Sequence, residues 1–159
     1  MVTYIVVDTC VLSDIIKQYN PSLPDESYTP SRFLSTQMLQ LINPIVANAG
    51  EDGYIIASTF AFVELLNKYS EIFNGTTVTI ARIKAFMLQP PSWFIVENMT
   101  SDTAKYFCDI PTCTPKFEPI SSDDAVHIAT AMQRGDEVTF LTSDSRMTAL
   151  SIPRLSFVE

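Results

Sequence analysis

The sequence contains few of the residues from which disulfide frameworks and zinc sites are built. Its 159 residues include three cysteines and one histidine. An odd number of cysteines without a CxxC pair argues against a disulfide framework, although Cys108 and Cys113 could in principle pair, and we expect free thiols. Because His127 is the only histidine, a zinc site of cysteine and histidine ligands is poorly supported.

A long hydrophobic run is also missing from the beginning of the chain. The longest apolar run there extends from Tyr4 to Val7, and Asp8 ends it. This run is too short to span a membrane and lacks the charged start of a secretory signal. We therefore expect a cytoplasmic protein that does not associate with membranes.

Basic residues are scarce, which limits the ways in which the protein could bind nucleic acid. The chain has 10 lysines and arginines against 18 aspartates and glutamates, and its net charge is −8. Phosphate backbones usually bind to positive surfaces, so tight non-specific binding to long nucleic acid is not expected. Divalent cations held by some of the acids would, however, become the main local positive charge.

The remaining composition is that of an ordinary globular protein, with 47% hydrophobic and 18% charged residues. We expect one α/β domain over residues 1–159, with a mainly parallel central sheet of four to five strands flanked by helices in three layers. Apolar runs rich in β-branched and aromatic residues predict the strands, at Thr3–Val7, Tyr54–Ser58, Trp93–Val96, Val138–Thr142 and Leu155–Val158. Amphipathic spacing and capping residues predict the helices, at Thr9–Gln18, Arg32–Asn43, Ser58–Phe73, Thr76–Leu88, Ser101–Cys108 and Asp123–Arg134. Loops rich in proline are expected at 20–30 and 110–119.

Two acids follow directly or closely on predicted strands. Asp8 follows the first strand, and Asp144 follows the fourth strand in the sequence LTSD. Ligands of parallel α/β sheets bind beyond the carboxyl ends of the strands. The two carboxylates therefore converge if the first and fourth strands are neighbours, although an aspartate after a strand is more often a cap or turn residue.

Two further acids lie in predicted helices. Glu64 stands in the otherwise apolar stretch FAFVELL, where it either faces solvent or has a functional role. Asp124 lies in the first turn of a helix, a position that favours negative charge for electrostatic reasons alone. The spacing of Asp124 to Ile128 and Ala131 nevertheless directs its side chain inward. Asp123 lies about 100° away around the helix, and we expect it to cap the helix or to face solvent.

The order and setting of these acids resemble the PIN-domain family across nearly the whole chain. The matching segments are VVDTCVL (Val6–Leu12), STFAFVELL (Ser58–Leu66), DDAVHIATA (Asp123–Ala131) and VTFLTSD (Val138–Asp144). In size the chain is similar to small stand-alone PIN proteins, such as the VapC-type toxins of toxin–antitoxin pairs. The resemblance implies a Mg²⁺- or Mn²⁺-dependent ribonuclease that hydrolyses phosphodiester bonds. It also implies a small antitoxin partner beside the pocket and a homodimer.

Carboxylates suit this chemistry because Mg²⁺ and Mn²⁺ are hard cations that prefer oxygen ligands. Such cations activate water and stabilise the charge of the leaving oxygen. We assign Asp8, Asp124 and Asp144 as direct ligands. Glu64 is either a ligand or the residue that holds a coordinated water. Close carboxylates repel without a metal, so at least one of them should have a raised pKa.

Four other residues are weaker candidates for roles in the site. Thr142 or Ser143 could donate a hydrogen bond to a carboxylate or a phosphate, or be an ordinary hydroxyl at a strand end. Arg146 could bind substrate phosphate through its guanidinium, although a solvated loop residue is the more common case. His127, one turn after Asp124, could approach the pocket, but a single helix histidine is more often a packed structural residue.

The chain also departs from the family pattern. Cys10 stands where the family usually has Asn or Ser two residues after the first acid, and residues 20–53 form a longer segment than in compact toxins. This segment could form a helix that shields the pocket or contacts another subunit. Two alternative functions stay open, a catalytically silent PIN-like interaction module and a DNA-directed nuclease. A phosphatase of the haloacid-dehalogenase type would require a second aspartate at Cys10.

Overall fold

The computed structural model describes residues 2–19, 32–110, 120–135 and 137–159. Its strands are β1 (Thr3–Val7), β2 (Gly53–Ser58), β3 (Phe94–Glu97), β4 (Val138–Leu141) and β5 (Leu155–Val158). Its helices are α1 (Thr9–Gln18), α2 (Thr36–Ala47), α3 (Thr59–Asn67), α4 (Tyr69–Ile72), α5 (Ile80–Leu88), α6 (Ser101–Asp109), α7 (Ser122–Gln133) and α8 (Ser145–Thr148). Most of the expected loop at 110–119, half of a Cys108–Cys113 pair and residues 20–31 of the long segment lie outside this description.

The five strands form one sheet in the order β3-β2-β1-β4-β5, and every neighbouring pair is parallel. The expected α/β architecture is therefore confirmed. The first and fourth strands are neighbours, with Tyr4 opposite Val138 and Val7 opposite Leu141. This pairing was the condition for Asp8 and Asp144 to approach each other.

Both faces of the sheet are buried under helices, because successive strand residues point to opposite sides. Ile5 and Val7 belong to one apolar cluster, together with residues from α1, α2, α3 and α5. Val6 and Phe140 belong to a second cluster, together with residues from α7. The result is the expected three-layer arrangement of helices, sheet and helices.

The second helix differs from its prediction because its capping residue was not recognised. The sequence pattern predicts Arg32–Asn43, but the helix begins after Ser35, whose Oγ accepts a hydrogen bond from the Met38 N–H at 3.2 Å. It also continues through Pro44 to Ala47. Pro44 lies on the exposed side of the helix, where water can satisfy the carbonyl that loses its N–H partner, while Ile45 continues the buried side.

Two other helix predictions were too long. The stretch expected to run to Phe73 is divided at Lys68, which ends α3 and begins α4. The helix expected from Thr76 begins at Ile80, because the Thr79 hydroxyl caps it by accepting from the Arg82 N–H at 3.3 Å.

In the part of the chain that the structure describes, no helix is long and apolar enough to cross a membrane.

Gly53 is required at the beginning of β2. A Cβ atom at this position would lie 2.5 Å from the carbonyl oxygen of Thr3 on the neighbouring strand β1. Real Cβ atoms do not approach backbone this closely, so β1 and β2 could not keep their register with a larger residue there. This register brings the carboxyl ends of both strands, and hence Asp8 and the start of α3, to one edge of the sheet.

Candidate active site

The four acids singled out by the sequence lie at the carboxyl edge of the sheet. Asp8 follows β1 directly, and Asp144 follows β4 after two intervening residues. Glu64 lies in α3, which begins where β2 ends, and Asp124 lies in the first turn of α7. Because β2, β1 and β4 are parallel neighbours, these connections emerge side by side.

Asp8 is a buried carboxylate at the centre of this edge, with only 5% of its surface exposed. Its Oδ1 accepts a hydrogen bond from the Val11 N–H at 2.8 Å and so caps α1. Burial raises the pKa of the Asp8 carboxyl above its ordinary value, and the negative charge of Asp124 raises it further. Hydrogen bonds from Val11 and Thr142 act in the opposite direction without overcoming burial. A raised pKa was expected from repulsion between the carboxylates, and Asp8 has one, but burial is its main cause.

Glu64 points into the site and not to solvent, and it is the centre of a polar network. Its Oε2 accepts from the Thr9 hydroxyl at 2.5 Å and lies 3.2 Å from His127 Nε2. Its Oε1 accepts from Lys68 Nζ at 2.7 Å. The hydrogen bond with His127 is the main cause that lowers the pKa of Glu64 to about 2, with Lys68 and Thr9 contributing. Glu64 is therefore ionised throughout the physiological range.

His127 does reach the site, which the sequence left open. The side chain is 2% exposed, its Nε2 lies 3.1 Å from the Thr9 hydroxyl, and its ring is tilted against Phe60. Nδ1 is buried and has no hydrogen-bond partner within residues 2–19, 32–110, 120–135 and 137–159. His127 thus holds Glu64 and Thr9 in place from inside the protein.

Arg146 connects the other two acids, and this contact was not anticipated. Its Nε lies 3.0 Å and 3.1 Å from the two carboxylate oxygens of Asp144, and its Nη2 also contacts Asp144. The same Nη2 lies 3.5 Å from Oδ2 of Asp124. The hydrogen bonds from Arg146 lower the pKa of Asp144. Arg146 is therefore a counter-ion of the acids, whereas a solvated loop residue was the more common expectation.

The predicted hydroxyl and thiol positions behave differently from one another. Thr142 is fully buried, donates to the Asp8 carboxylate and accepts from the Asp144 N–H at 3.0 Å, so it joins two of the acids. Ser143 is exposed.

Burial, followed by the charges of Asp8 and Glu64, raises the pKa of the Cys10 thiol to about 11. Cys10 is consequently protonated at neutral pH, and a thiol is a much weaker nucleophile than a thiolate.

One functional position was missed by the sequence reasoning. Thr9 is 5% exposed and bonds both Glu64 and His127, which lie 55 and 118 residues away in sequence. Its only sequence signal is its place directly after Asp8, in the first turn of α1. A threonine at that place has no local feature that would separate it from an ordinary helix-start residue.

The acids form two groups that share Asp8. Glu64 belongs to one group with Thr9, His127 and Lys68, and Asp124 and Asp144 belong to the other with Arg146. Asp8 interacts electrostatically with His127 and Asp124, one member of each side of the site. In this arrangement, no three His, Cys, Asp or Glu side chains of the described residues stand close enough together to hold a metal ion.

The donor chemistry nevertheless fits a hard divalent cation. The acids supply carboxylate oxygens, which suit Mg²⁺ and Mn²⁺. A single cationic atom, Nη2 of Arg146, already contacts both Asp124 and Asp144. A divalent cation bound by these two carboxylates and Asp8 would have to displace the guanidinium from this place.

Replacing Arg146 with Gln is therefore expected to strengthen Mn²⁺ binding by up to about fivefold. This upper limit corresponds to a gain of about 1 kcal/mol in the free energy of Mn²⁺ binding. Arg146 is 49% exposed, and an exposed ion pair contributes no more than that. Titration calorimetry with Mn²⁺ on both proteins measures this change. Arg134→Gln is the matched control, since Arg134 pairs with Glu97 away from the four acids. Equal or weaker Mn²⁺ binding by Arg146→Gln would show that the guanidinium does not compete with a cation.

Comparisons with known proteins support the fold. No protein-family model matches the sequence, and no curated protein is significantly similar to it. Among solved structures, the chain is similar to VapBC2 from Rickettsia felis bound to a DNA fragment from their promoter, with 14% identity, a TM-score of 0.61 and 98% of each chain covered. It is also similar to VapC20 from Mycobacterium tuberculosis, a sarcin–ricin-loop-cleaving toxin, with 15% identity, a TM-score of 0.54 and coverage of 91% of this chain and 93% of that one. A toxin–antitoxin complex from Klebsiella pneumoniae gives 14% identity, a TM-score of 0.53 and coverage of 94% and 93%.

These similarities extend over nearly the whole chain, at identities too low to carry more than the fold. The order of strands and the three layers agree with the architecture that the sequence motifs implied. The expected PIN-like fold, in the form found in VapC structures, is confirmed.

Proposed function

We propose that this protein is a Mg²⁺- or Mn²⁺-dependent ribonuclease that acts as the toxin of a toxin–antitoxin pair. The observation that carries the proposal is the convergence of Asp8, Glu64, Asp124 and Asp144 on one edge of a sheet whose fold is that of VapC structures. A buried carboxylate with a raised pKa, such as Asp8, is costly for the fold and typical of functional sites.

Each acid has a defined task in this proposal. Asp8, Asp124 and Asp144 hold the cation, which activates water and stabilises the leaving oxygen when it is bound. Glu64, fixed by Thr9 and His127, would hold the attacking water. Arg146, once displaced from Asp144, would contact a substrate phosphate through two of its N–H groups.

The same similarity supports an antitoxin partner. Structures of similar fold include a toxin–antitoxin complex and a VapBC2 assembly bound to DNA. We propose a small antitoxin as the partner that binds beside the acids and suppresses cleavage. A homodimer and a location in the cytoplasm remain predictions.

A second function is favoured by a different observation. Lys68 and Arg146 already form ion pairs with three of the four acids, and the described residues contain no ready-made group of three metal ligands. This arrangement would suit a catalytically silent interaction module. The two functions differ in whether the protein binds a divalent cation at all.

Cleavage of a mixed-sequence single-stranded RNA, and of the DNA of the same sequence, tests the proposal. We expect RNA cleavage with Mn²⁺ or Mg²⁺ and none with chelator. Saturating Mn²⁺ should also raise the melting temperature by about 5–10 °C, because a ligand at a hundred times its Kd stabilises by about 2.7 kcal/mol. Cleavage of DNA alone would identify the DNA-directed alternative. No cleavage and no change in melting temperature would support the silent module.

A further inference from the structure

A cavity of about 330 Å³ opens beside Glu64, on the side of the site away from Asp144. Its walls come from α1, from α3 and the residues that follow it, and from the segment just before α2. Thr9 and Glu64 line both this cavity and the acid site. The volume falls at the lower end of the range of small-ligand pockets, about 300–1,000 Å³.

The lining of this cavity is rich in basic residues, although the protein as a whole is acidic. Three of the ten basic residues line it, Lys17, Arg32 and Lys68, against the two acids Glu64 and Glu71. The chain as a whole carries a net charge of −8. An anionic ligand therefore meets three basic side chains here, beside the proposed catalytic acids.

An aromatic ring at the rim supplies a flat apolar surface. Phe33 is partly buried, and the guanidinium of Arg32 lies over its ring at 5.2 Å. Both residues are held in place by Asp14 in α1, which is 1% exposed. Oδ2 of Asp14 accepts the Arg32 N–H at 2.8 Å and the Phe33 N–H at 2.5 Å. The cavity wall is thus anchored to a buried carboxylate and is already formed without a ligand.

We propose that this cavity binds one nucleotide of a single-stranded nucleic-acid substrate, next to the phosphate that is cleaved. Its phosphate lies against Arg32 and Lys68, and its base stacks on Phe33. The shared position of Thr9 and Glu64 makes the cavity and the acid site continuous, so a strand can occupy both. The inference rests on the proposed nuclease function and adds to it a subsite that selects the neighbouring base.

This combination of cations and an aromatic ring is what sequence-tolerant single-strand binding requires. Stacking of a base on an aromatic side chain contributes through the flat face that every base has, and cations follow the phosphates. Lys17 is the deepest of the three cations, 10% exposed and 3.5 Å from Asp14. It lowers the negative potential of the cavity floor without contacting the ligand directly.

Binding of a labelled single-stranded RNA hexamer, measured by fluorescence anisotropy in chelator and low salt, tests the subsite independently of cleavage. We expect Phe33→Leu to weaken binding about tenfold and Phe33→Tyr to change it less than about twofold, because tyrosine keeps the stacking face. Arg32→Gln should weaken binding about threefold and reduce the slope of log K against log salt by about 0.7. Arg82→Gln is the control for charge, since Arg82 lies in α5 and does not line the cavity.

The outcomes separate this inference from the proposed function. Binding that depends on Phe33 and Arg32, in a protein that cleaves nothing with Mn²⁺, would keep the subsite and reject the nuclease. Cleavage with unchanged binding in Phe33→Leu and Arg32→Gln would keep the nuclease and reject the subsite. Displacement of the hexamer by equimolar nucleoside monophosphate would assign the cavity to a free nucleotide and overturn the substrate subsite. If Phe33→Leu lowers the melting temperature by more than a few degrees, its weaker binding no longer reports on stacking alone. The salt slope measured for Arg32→Gln then decides whether the subsite is kept or rejected.

Discussion

The Asp8→Asn variant is expected to lose metal-dependent RNA cleavage by more than about a hundredfold while keeping its fold. The lower bound of a hundredfold follows from residues that only hydrogen-bond to metal ligands, because replacing them already costs about 10–100-fold in metal affinity or activity. Loss of a direct ligand should cost more. The substitution keeps the size of the side chain, and an asparagine oxygen can still accept the Val11 N–H that caps α1. It removes the one carboxylate that interacts with both groups of the site.

The same substitution should leave metal-free stability at neutral pH unchanged or increase it. A carboxyl whose pKa is raised in the folded protein binds its proton more tightly there than in the unfolded chain. Folding is then favoured less as pH rises from the unfolded to the folded pKa, so ionised Asp8 is a net cost at neutral pH. Asparagine removes that cost. A variant that is both inactive and at least as stable as the parent is the expected signature of a functional carboxylate.

Rates of RNA cleavage with Mn²⁺ and melting temperatures in chelator measure the two parts of this prediction. Asp123→Asn is the matched control, because Asp123 is exposed, neighbours Asp124 in sequence and carries the same charge. We expect it to retain near-normal activity. Asp8→Asn with more than a tenth of the parent activity would mean that Asp8 does not hold the cation, and the assignment of direct ligands would have to be revised.

The sheet could be predicted from the sequence because its strands are buried on both faces. Continuous runs of β-branched residues such as Thr3–Val7 have few alternatives to a central strand, and this strand was predicted with its observed bounds. The helix starts were less certain, since Ser35 and Thr79 cap helices but other threonines nearby, Thr36, Thr76 and Thr77, can also cap. Such choices are decided by packing against the sheet, which a local pattern does not contain.

In the site as well, the positions of the acids could be predicted from the sequence, whereas their side-chain contacts could not. That Asp8 and Asp144 share an edge follows from strand order, which parallel α/β topology restricts strongly. The counter-ions Arg146 and Lys68 and the link through Thr9 depend on side-chain orientations across separate elements. Similarly, Asp14 had no distinguishing feature in the sequence, because its partners Arg32 and Phe33 lie 18 and 19 residues further along the chain.

Replacing Asp14 with Ala is expected to destabilise the protein by about 3 kcal/mol, because it leaves a lysine and two backbone N–H groups without their buried acceptor. The Arg32 and Phe33 N–H groups lose bonds of 2.8 Å and 2.5 Å, and Lys17 loses a carboxylate at 3.5 Å. For a chain of this size the melting temperature should fall by about 6–12 °C. Differential scanning calorimetry in chelator, which removes any contribution of metal binding, measures the change.

Two comparison variants show which property of Asp14 matters. Asp14→Asn keeps an oxygen that accepts the backbone N–H groups but removes the charge that pairs with Lys17, so its loss should be intermediate. Glu71→Ala removes one exposed acid from the same cavity and should change stability by no more than about 0.5 kcal/mol. Because Asp14 touches the backbone of Arg32 and Phe33 and not the ligand, Asp14→Ala should also weaken hexamer binding at temperatures where it is fully folded. Weaker binding without a loss of stability would mean that Asp14 acts on the ligand through its charge, whereas a loss of stability with normal binding would mean that Phe33 finds its position without this anchor.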